Sequence, residues 1–149
     1  NYGIPLNNTT TTQTNSGFWN NTAPTSSVFS NGSWDNGYTK VAYCFHSVDG
    51  YSKVGSYTGN GSGDGPFVHC GFRPAGSSWI VIDSTRDPYN VASQFLHPNL
   101  SDAEGSTTLL DFTSNGFKWR YNGQSGNVSG GTYIFLAFAE NPFKHTNAR

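Results

Sequence analysis

The chain has almost none of the residues that build long helices, and this limits its fold more than any other feature. Of its 149 residues none is methionine, and glutamate occurs only at Glu104 and Glu140. Glycine occurs 18 times, and aromatic residues make up 15% of the chain. Glycine, asparagine and serine favour turns, whereas aromatic residues favour strands. The sequence therefore predicts short strands joined by tight turns and excludes an all-α fold.

Charged residues are scarce and balanced, which argues against several kinds of partner. Lysine and arginine total 8 and aspartate and glutamate total 9, a formal net charge of -1. Proteins that bind nucleic acid or an anionic membrane carry a basic stripe, so we expect no nucleic-acid partner. No apolar run approaches the roughly 18 residues that span a bilayer, so we expect no membrane insertion. Because the first residue is Asn1 rather than methionine, we expect a processed or internal fragment of a longer polypeptide.

The first 37 residues are biased towards asparagine, threonine and serine. Residues 7–12 form a polar tract, Asn-Asn-Thr-Thr-Thr-Thr. Two interpretations stay open: a linker or arm ordered by lying on a neighbour, or short edge strands. We predict that residues 1–37 form an extended arm with short edge strands, and that residues 38–149 form a β-sandwich domain.

Side chains alternate with a period of two from Tyr38 onwards, which predicts strands. Residues 38–46 are predicted to form an interior strand, and residues 79–82 a short buried strand. Residues 132–139 are apolar on both faces and are predicted to form the central strand. Only residues 91–105 allow a helical turn, because Ser101 and Glu104 have capping-box spacing. Further strands are expected at 51–57, after a turn at 48–50, and at 67–72. The strands at 109–112 and 116–121 are predicted to form a hairpin around Ser114-Asn115-Gly116. About eight short strands without crossover helices predict an all-β antiparallel sandwich of jelly-roll type, with a closed barrel as the alternative.

The groups that could carry covalent chemistry are few and dispersed. The cysteines, Cys44 and Cys70, are predicted to be free, buried thiols, although a disulfide between them stays open. Most carboxylates stand at predicted turns, where they serve turn geometry. Asp64 lies in the glycine-rich loop 59–65 and, with loop carbonyls, is a weak candidate for calcium. No other cofactor and no other metal is expected. Asn-x-Ser/Thr triplets such as Asn127-Val128-Ser129 are attributed to chance in a chain of this composition.

Aromatic residues are the remaining signal for a binding surface. Trp119 and Tyr121 share one strand face and are flanked by Lys118 and Arg120. Tryptophan and tyrosine bury a large area at a low entropic cost, which suits contact with a sugar or a protein. Core or subunit-interface packing is the alternative. The predicted contact residues are Trp119, Tyr121, Tyr89, Trp34 and Asp64.

Several strings resemble an uncharacterised domain that is common in tailed bacteriophages and prophages. It often stands at the C-terminus of tail-fibre-like or concanavalin-lectin-like virion proteins. The resemblance runs from about Val41 to Arg149. Directly after Phe72-Arg73-Pro74-Ala75, members of that family carry an extra apolar strand and turn, which this chain lacks. The strings that carry the resemblance are 50–61, 65–68, 71–75, 83–86, 111–118, 130–134, 137–144 and 147–149.

The resemblance implies a place in a virion rather than a chemistry. It implies a non-enzymatic structural domain at the particle surface, assembled in the bacterial cytoplasm and used for host attachment or fibre assembly. The expected partners are other virion subunits, as a homo-trimer or higher assembly, and a host surface glycan. The first alternative is a capsid decoration protein, which would share the composition and the arm. The second is a polysaccharide-degrading enzyme, which requires two facing carboxylates.

Overall fold

The structure of the protein is a computed structural model. It describes residues 2–3, 13–14, 17, 19–32, 37, 39, 41–71, 80–98, 100–123 and 126–142. The chain divides into two compact units, Asn1–Tyr43 and Cys44–Arg149. Within the described residues, no helix is long and apolar enough to cross a membrane.

The first unit contains short strands and local contacts. Strand β1 (Tyr2–Gly3) pairs antiparallel with β2 (Gln13–Thr14). Further along, the Trp19 ring meets the edge of the Phe29 ring, with centroids 6.1 Å apart. The Thr25 hydroxyl accepts the backbone N–H of Val28 at 3.1 Å. The described part of this unit is therefore organised by contacts between residues that lie close in sequence.

Two antiparallel sheets build the second unit. The strands are β3 (Ser52–Thr58), β4 (Phe67–His69), β5 (Ala92–Phe95), β6 (Gly105–Thr113), β7 (Gly116–Trp119) and β8 (Thr132–Phe138). One sheet has four strands in the order β4-β7-β6-β5, and the other pairs β3 with β8. All strand pairs are antiparallel, and the described residues contain no helix, so the predicted all-β antiparallel class is confirmed.

Aromatic side chains from both sheets interlock to form the core of a sandwich. Tyr57 on β3 packs against Phe117 and Trp119 on β7, at centroid distances of 5.9 and 6.4 Å. Phe117 also meets the edge of Phe135 on β8, at 5.5 Å. Burying such rings is the main favourable term for a chain with so few aliphatic residues. The other buried apolar residues are Val68, Cys70, Ile80, Ile82, Ala92, Leu109, Leu110, Phe112 and Ala137.

The predicted hairpin and the first strand after the Asp49-Gly50 turn are confirmed. Strands β6 and β7 pair around the turn at Ser114 and Asn115, with Phe112 opposite Phe117. Asn-Gly before an apolar run is a strong turn signal, because it tolerates the backbone shape that a tight hairpin needs. Strand β3 covers the predicted run at 51–57 within one residue. Whether the connections follow a jelly roll stays a prediction.

Two strands predicted to be interior lack strand partners on both sides among the described residues. Residues 41–47 belong to no strand, and Val41 and Tyr43 are 78% and 81% exposed. Strand β8 does form at Thr132–Phe138, but among the described residues it pairs with β3 alone. Alternation and apolar composition predict extended backbone, but they do not show whether a second strand is available to pair with it.

Of two further local predictions, the helical turn was wrong, and the buried strand at 79–82 is confirmed only in the burial of Ile80 and Ile82 and in one bridge. Residues 101–104 contain no helical turn, although Ser101 and Glu104 have capping-box spacing, and the strand β5 lies in the same predicted window. The chain goes directly into β6 at Gly105, so no helix follows that a cap could start. Of the predicted strand at 79–82, the described residues make one bridge, Val81 to Leu96.

The cysteines differ in their surroundings. Both are free, as predicted, but only Cys70 is buried, whereas Cys44 is exposed. Burial raises the pKa of the Cys70 thiol to about 11. Cys70 therefore stays protonated at neutral pH and acts as a small apolar core residue.

Candidate functional site

Trp119 lies in the core rather than on a contact face. Its side chain is 1% exposed and packs beneath the two glycine-rich loops that follow β3 and β7. A Cβ on Gly65 would lie 2.6 Å from the Trp119 Cβ, and the Cβ of Gly126 would overlap the indole ring. Glycine at these two positions lets the backbone close over the ring. Core packing was the alternative that the sequence left open for Trp119.

A buried asparagine joins the two glycine-rich loops. Asn127 is fully buried, and its Oδ1 accepts the backbone N–H of Asn60 at 2.9 Å. Its Nδ2 donates to the carbonyl oxygens of Ser62 at 2.7 Å and Tyr121 at 2.8 Å. These three hydrogen bonds use the acceptor and both donor hydrogens of one amide. We call Asn127 with Asn60, Ser62 and Tyr121 the Asn127 clamp.

The Tyr57 hydroxyl supports the same region from the opposite sheet. It donates to the carbonyl oxygen of Gly126 at 2.8 Å, next to the clamp. Burial raises the pKa of Tyr57 well above its ordinary value, so the hydroxyl keeps its proton at neutral pH. Tyr121, a predicted contact residue, is half-buried and packs against the core while its carbonyl serves the clamp. Both residues therefore contribute to the fold.

Asp64 lies on the surface among cations. Lys118 Nζ is 2.5 Å from its Oδ1, and Arg120 Nη1 is 3.7 Å away. The Arg120 Nε also contacts Asp111 Oδ2 at 2.6 Å, so the arginine bridges two carboxylates. The hydrogen bond and the charge of Lys118 hold the pKa of Asp64 below its usual range. This carboxylate is thus neutralised by side chains of the same unit, and solvent screens the exposed pairs.

We call residues 83–91 the Tyr89 loop. Three side chains attach its backbone, and the first of them is Asp83. Asp83 Oδ1 accepts the backbone N–H groups of Thr85 at 3.0 Å and Arg86 at 2.9 Å. Its other oxygen pairs with Arg86 Nη1 at 2.6 Å, and Arg86 Nε reaches Glu104 at 3.1 Å. An aspartate that bonds backbone N–H groups two and three residues ahead specifies a turn.

Asp87 makes the second attachment, at a bulge in strand β5. The pairing of β5 with β6 is irregular between Ala92 and Gln94. Asp87 Oδ2 accepts the backbone N–H groups of Ser93 at 2.7 Å and Gln94 at 2.6 Å. A bulge leaves ladder groups without a partner strand, and here a carboxylate supplies the acceptor. These backbone hydrogen bonds hold the pKa of Asp87 below its usual range.

Asn90 makes the third attachment, on strand β6. Its Nδ2 donates to the carbonyl oxygen of Phe112 at 2.8 Å, and its Oδ1 accepts the N–H of Phe112 at 2.9 Å. The side-chain amide thereby pairs with β6 as a strand residue would. Since Ala92 already pairs with Leu110, Asn90 extends that pairing towards the loop.

Tyr89 projects from this loop between Asp87 and Asn90. It is 83% exposed, the largest exposure of any apolar or aromatic side chain in the described chain. Val91, also on the loop, is 39% exposed. Tyr43 is almost equally exposed but stands on a segment outside any strand. Tyr89 is therefore a large side chain held out to solvent by a backbone with three attachments.

The structure brings together only part of the predicted contact set. Trp119, Tyr121 and Asp64 lie around strand β7 and the loop before β4, with Trp119 inside and Asp64 outside. Tyr89 is carried by a different element, the loop that leads into β5. Trp34 lies outside the described residues.

Comparison with family models assigns the chain to a family over nearly all of its length. The match spans residues 1–142. The chain belongs to the family described as a domain of unknown function, DUF7483. Comparison with curated proteins and with solved structures found no significant match.

The described part of this DUF7483 domain holds no group of three or more histidine, cysteine, aspartate or glutamate side chains arranged to bind a metal ion. At Asp64, the sequence-based candidate for calcium, the nearest side chains are cationic, and a calcium ion would have to displace Lys118. Calcium requires six to eight oxygen ligands. The arrangement at Asp64 therefore favours an ion-pair network.

Sequence reasoning missed the residues that shape both loops of this DUF7483 domain. Asn127 attracted notice only as part of an Asn-x-Ser triplet, but it is buried and its amide is fully bonded. Its position between two glycine-rich segments was the available signal. For the Tyr89 loop, the run of Asp83, Asp87 and Asn90 around Pro88 was visible as turn chemistry, but not the strands to which those side chains bond.

Proposed function

We propose that this domain is a non-enzymatic structural domain of a tailed-bacteriophage virion, at the C-terminal part of a tail fibre. Its role is to attach the particle to its host through the Tyr89 loop. The observation that carries the proposal is the 83% exposure of Tyr89 on a loop anchored at Asp83, Asp87 and Asn90. The loop presents an aromatic contact to solvent.

Preorganisation is the physical reason to assign contact to this loop. Binding costs the entropy of ordering loops and side chains, and a loop already fixed by hydrogen bonds incurs less of that cost. Tyrosine offers an apolar face and a hydroxyl with only two side-chain torsions to order. Such a side chain suits the mixed apolar and hydroxyl surface of a sugar, and we assign a host surface glycan as the ligand.

The place in a virion is supported by the sequence resemblance. The Asp83–Arg86 string that resembles the phage domain is also the first attachment of the Tyr89 loop. The low charge of the chain suits a domain that packs against other subunits, because charged residues are depleted at interface cores. These observations support a structural role at the particle surface.

Immunogold electron microscopy with an antibody raised against this chain tests the location. The samples are tailed particles from the source culture, and particles from a phage that lacks a related sequence serve as the control. We expect gold at tail fibres or tail tips. Gold spread evenly over the shell would overturn the fibre assignment in favour of a decoration protein, and particles without gold would overturn the virion assignment.

A further inference from the structure

Strand β8 has an edge that the described residues leave unpaired. The backbone bonds Ala139 N–H to Tyr51 and Gly59 N–H to Gly131 set the alternation of the β3–β8 ladder. By that alternation the N–H and C=O groups of Ile134 and Leu136 point away from β3. No hydrogen bond reaches those groups within the described chain.

On the corresponding edge of β3, the outward backbone groups do have hydrogen-bond partners. Val48 exchanges backbone hydrogen bonds with Ser52, each 2.9 Å long. The Ser47 hydroxyl accepts the N–H of Val54 at 3.1 Å and donates to its carbonyl at 3.3 Å. Within the described part of the chain, one edge of this two-stranded sheet is therefore satisfied over half its length, and the other is not.

Strand β8 also lacks the features by which proteins protect an edge. Its sequence, Thr-Tyr-Ile-Phe-Leu-Ala-Phe, contains no charged residue and no proline, and its pairing with β3 is regular over seven residues. Natural edge strands are usually guarded by lysine, proline or a bulge. An unguarded apolar edge is a template for another strand.

The outward face of the same sheet is uncharged and partly apolar. It exposes Val54 at 39%, Ile134 at 46% and Phe138 at 37%. Phe45 and Tyr51 extend this surface, since each meets the edge of the Phe138 ring, at 6.5 and 6.0 Å. The eight outward residues of the sheet are Ser52, Val54, Ser56, Thr58, Thr132, Ile134, Leu136 and Phe138, and none is charged.

We infer that a second copy of this chain completes the sheet, with the β8 edges of two copies pairing antiparallel about a two-fold axis. An antiparallel strand pair is compatible with a two-fold axis, so identical edges satisfy each other. Because the outward face carries no charge, pairing the two β8 edges brings no like charges of this face together. A continuous β3–β8–β8–β3 sheet then replaces the two separate two-stranded sheets. This interface does not depend on the Tyr89 loop or on its ligand.

Sedimentation of the full chain over a wide range of concentration tests the proposal. We expect a reversible dimer, and a Kd at least about tenfold weaker for Ile134→Lys, because a lysine on each copy would place like charges beside the shared edge. Leu100→Lys is the matched control, since Leu100 is also exposed and lies outside this sheet. A chain that stays monomeric, or a dimer that Ile134→Lys leaves intact, would overturn the proposal.

Amide hydrogen exchange gives a second readout that does not depend on whether the variant folds. In the wild-type chain, the amides of Ile134 and Leu136 should exchange more slowly at high than at low protein concentration. The amide of Phe135 should not respond, because the ladder already pairs it with Gly55. Exchange at Ile134 and Leu136 that is independent of concentration would overturn the proposed edge pairing, even in a chain that self-associates.

Discussion

The Asn127 clamp and the Tyr89 loop both use side-chain hydrogen bonds to fix irregular backbone, but in opposite surroundings. Asn127 is fully buried, and its amide joins two glycine-rich loops over Trp119. In the Tyr89 loop, Asp87 and Asn90 are solvent-accessible and hold out an exposed tyrosine. The first arrangement closes the core, and the second shapes a surface.

In this domain, the contacts that stabilise the fold are therefore separate from those that shape the exposed loop. A buried amide that loses its partners cannot turn to water, so the fold depends on it. Groups at the surface can be rehydrated, so the Tyr89 loop can vary at a small cost in folding free energy. A site that must recognise a ligand is best placed where its residues are not needed for folding.

Asn127→Asp should produce the largest loss of stability. The carboxyl replaces the Nδ2 donor with an oxygen that faces the carbonyls of Ser62 and Tyr121. We expect the free energy of unfolding to fall by about 3 kcal/mol, because buried polar groups are left unpaired. Urea unfolding followed by tryptophan fluorescence measures this, since Trp119 lies beneath the loops. Asn122→Asp is the control, because Asn122 is exposed and is not part of the clamp, and we expect less than about 1 kcal/mol. Equal losses in the two variants would contradict the distinction between clamp and surface.

Asp87→Ala should have an intermediate effect. The backbone N–H groups of Ser93 and Gln94 lose their acceptor, but water can reach them. We expect a loss of about 1–2 kcal/mol in the free energy of unfolding, together with faster exchange of those two amides. Asp49→Ala, at an exposed turn carboxylate, should change neither. Unchanged exchange at Ser93 and Gln94 in Asp87→Ala would show that the carboxylate does not hold the loop.

Acid should release the same attachment in the wild-type chain. The pKa of Asp87 is lowered in the folded state by its hydrogen bonds to Gln94 and Ser93. Its contribution to stability is therefore complete above the ordinary aspartate pKa of about 3.9 and is lost as the pH falls through the lower folded-state value. The amide proton shifts of Ser93 and Gln94 should titrate with a midpoint below about 3.9. A midpoint at or above that value would contradict the attachment.

The sequence predicted the parts of the fold that depend on local patterns. Strand β3 and the β6–β7 hairpin follow from alternation and from Asn115-Gly116. The partners of strands do not follow from such patterns. Among the residues that the structure describes, the extended, apolar sequence at 41–46 pairs with no strand, and β8 keeps one unpaired edge. Pairing depends on contacts distant in sequence.

The candidate site was predictable only in part, for the same reason. Tyr89 and Trp119 are both predicted contact residues because aromatic side chains offer a large contact area at a low entropic cost. Only the packing of two glycine-rich loops distinguishes the core ring of Trp119 from the exposed ring of Tyr89. Asn127 bonds to residues more than sixty positions away, which no local pattern indicates.

The smallest expected effect on stability, and the most direct test of the central claim, belongs to Tyr89→Ala. Because the ring is exposed, the free energy of unfolding should change by less than about 0.5 kcal/mol. The measurement is adsorption of the tailed particles to their host cells in the presence of excess purified chain. Wild-type chain and Tyr43→Ala, a control of matched exposure, should slow adsorption, and Tyr89→Ala should not. Competition by Tyr89→Ala equal to that of the wild type, or no competition by the wild-type chain, would contradict attachment through the Tyr89 loop.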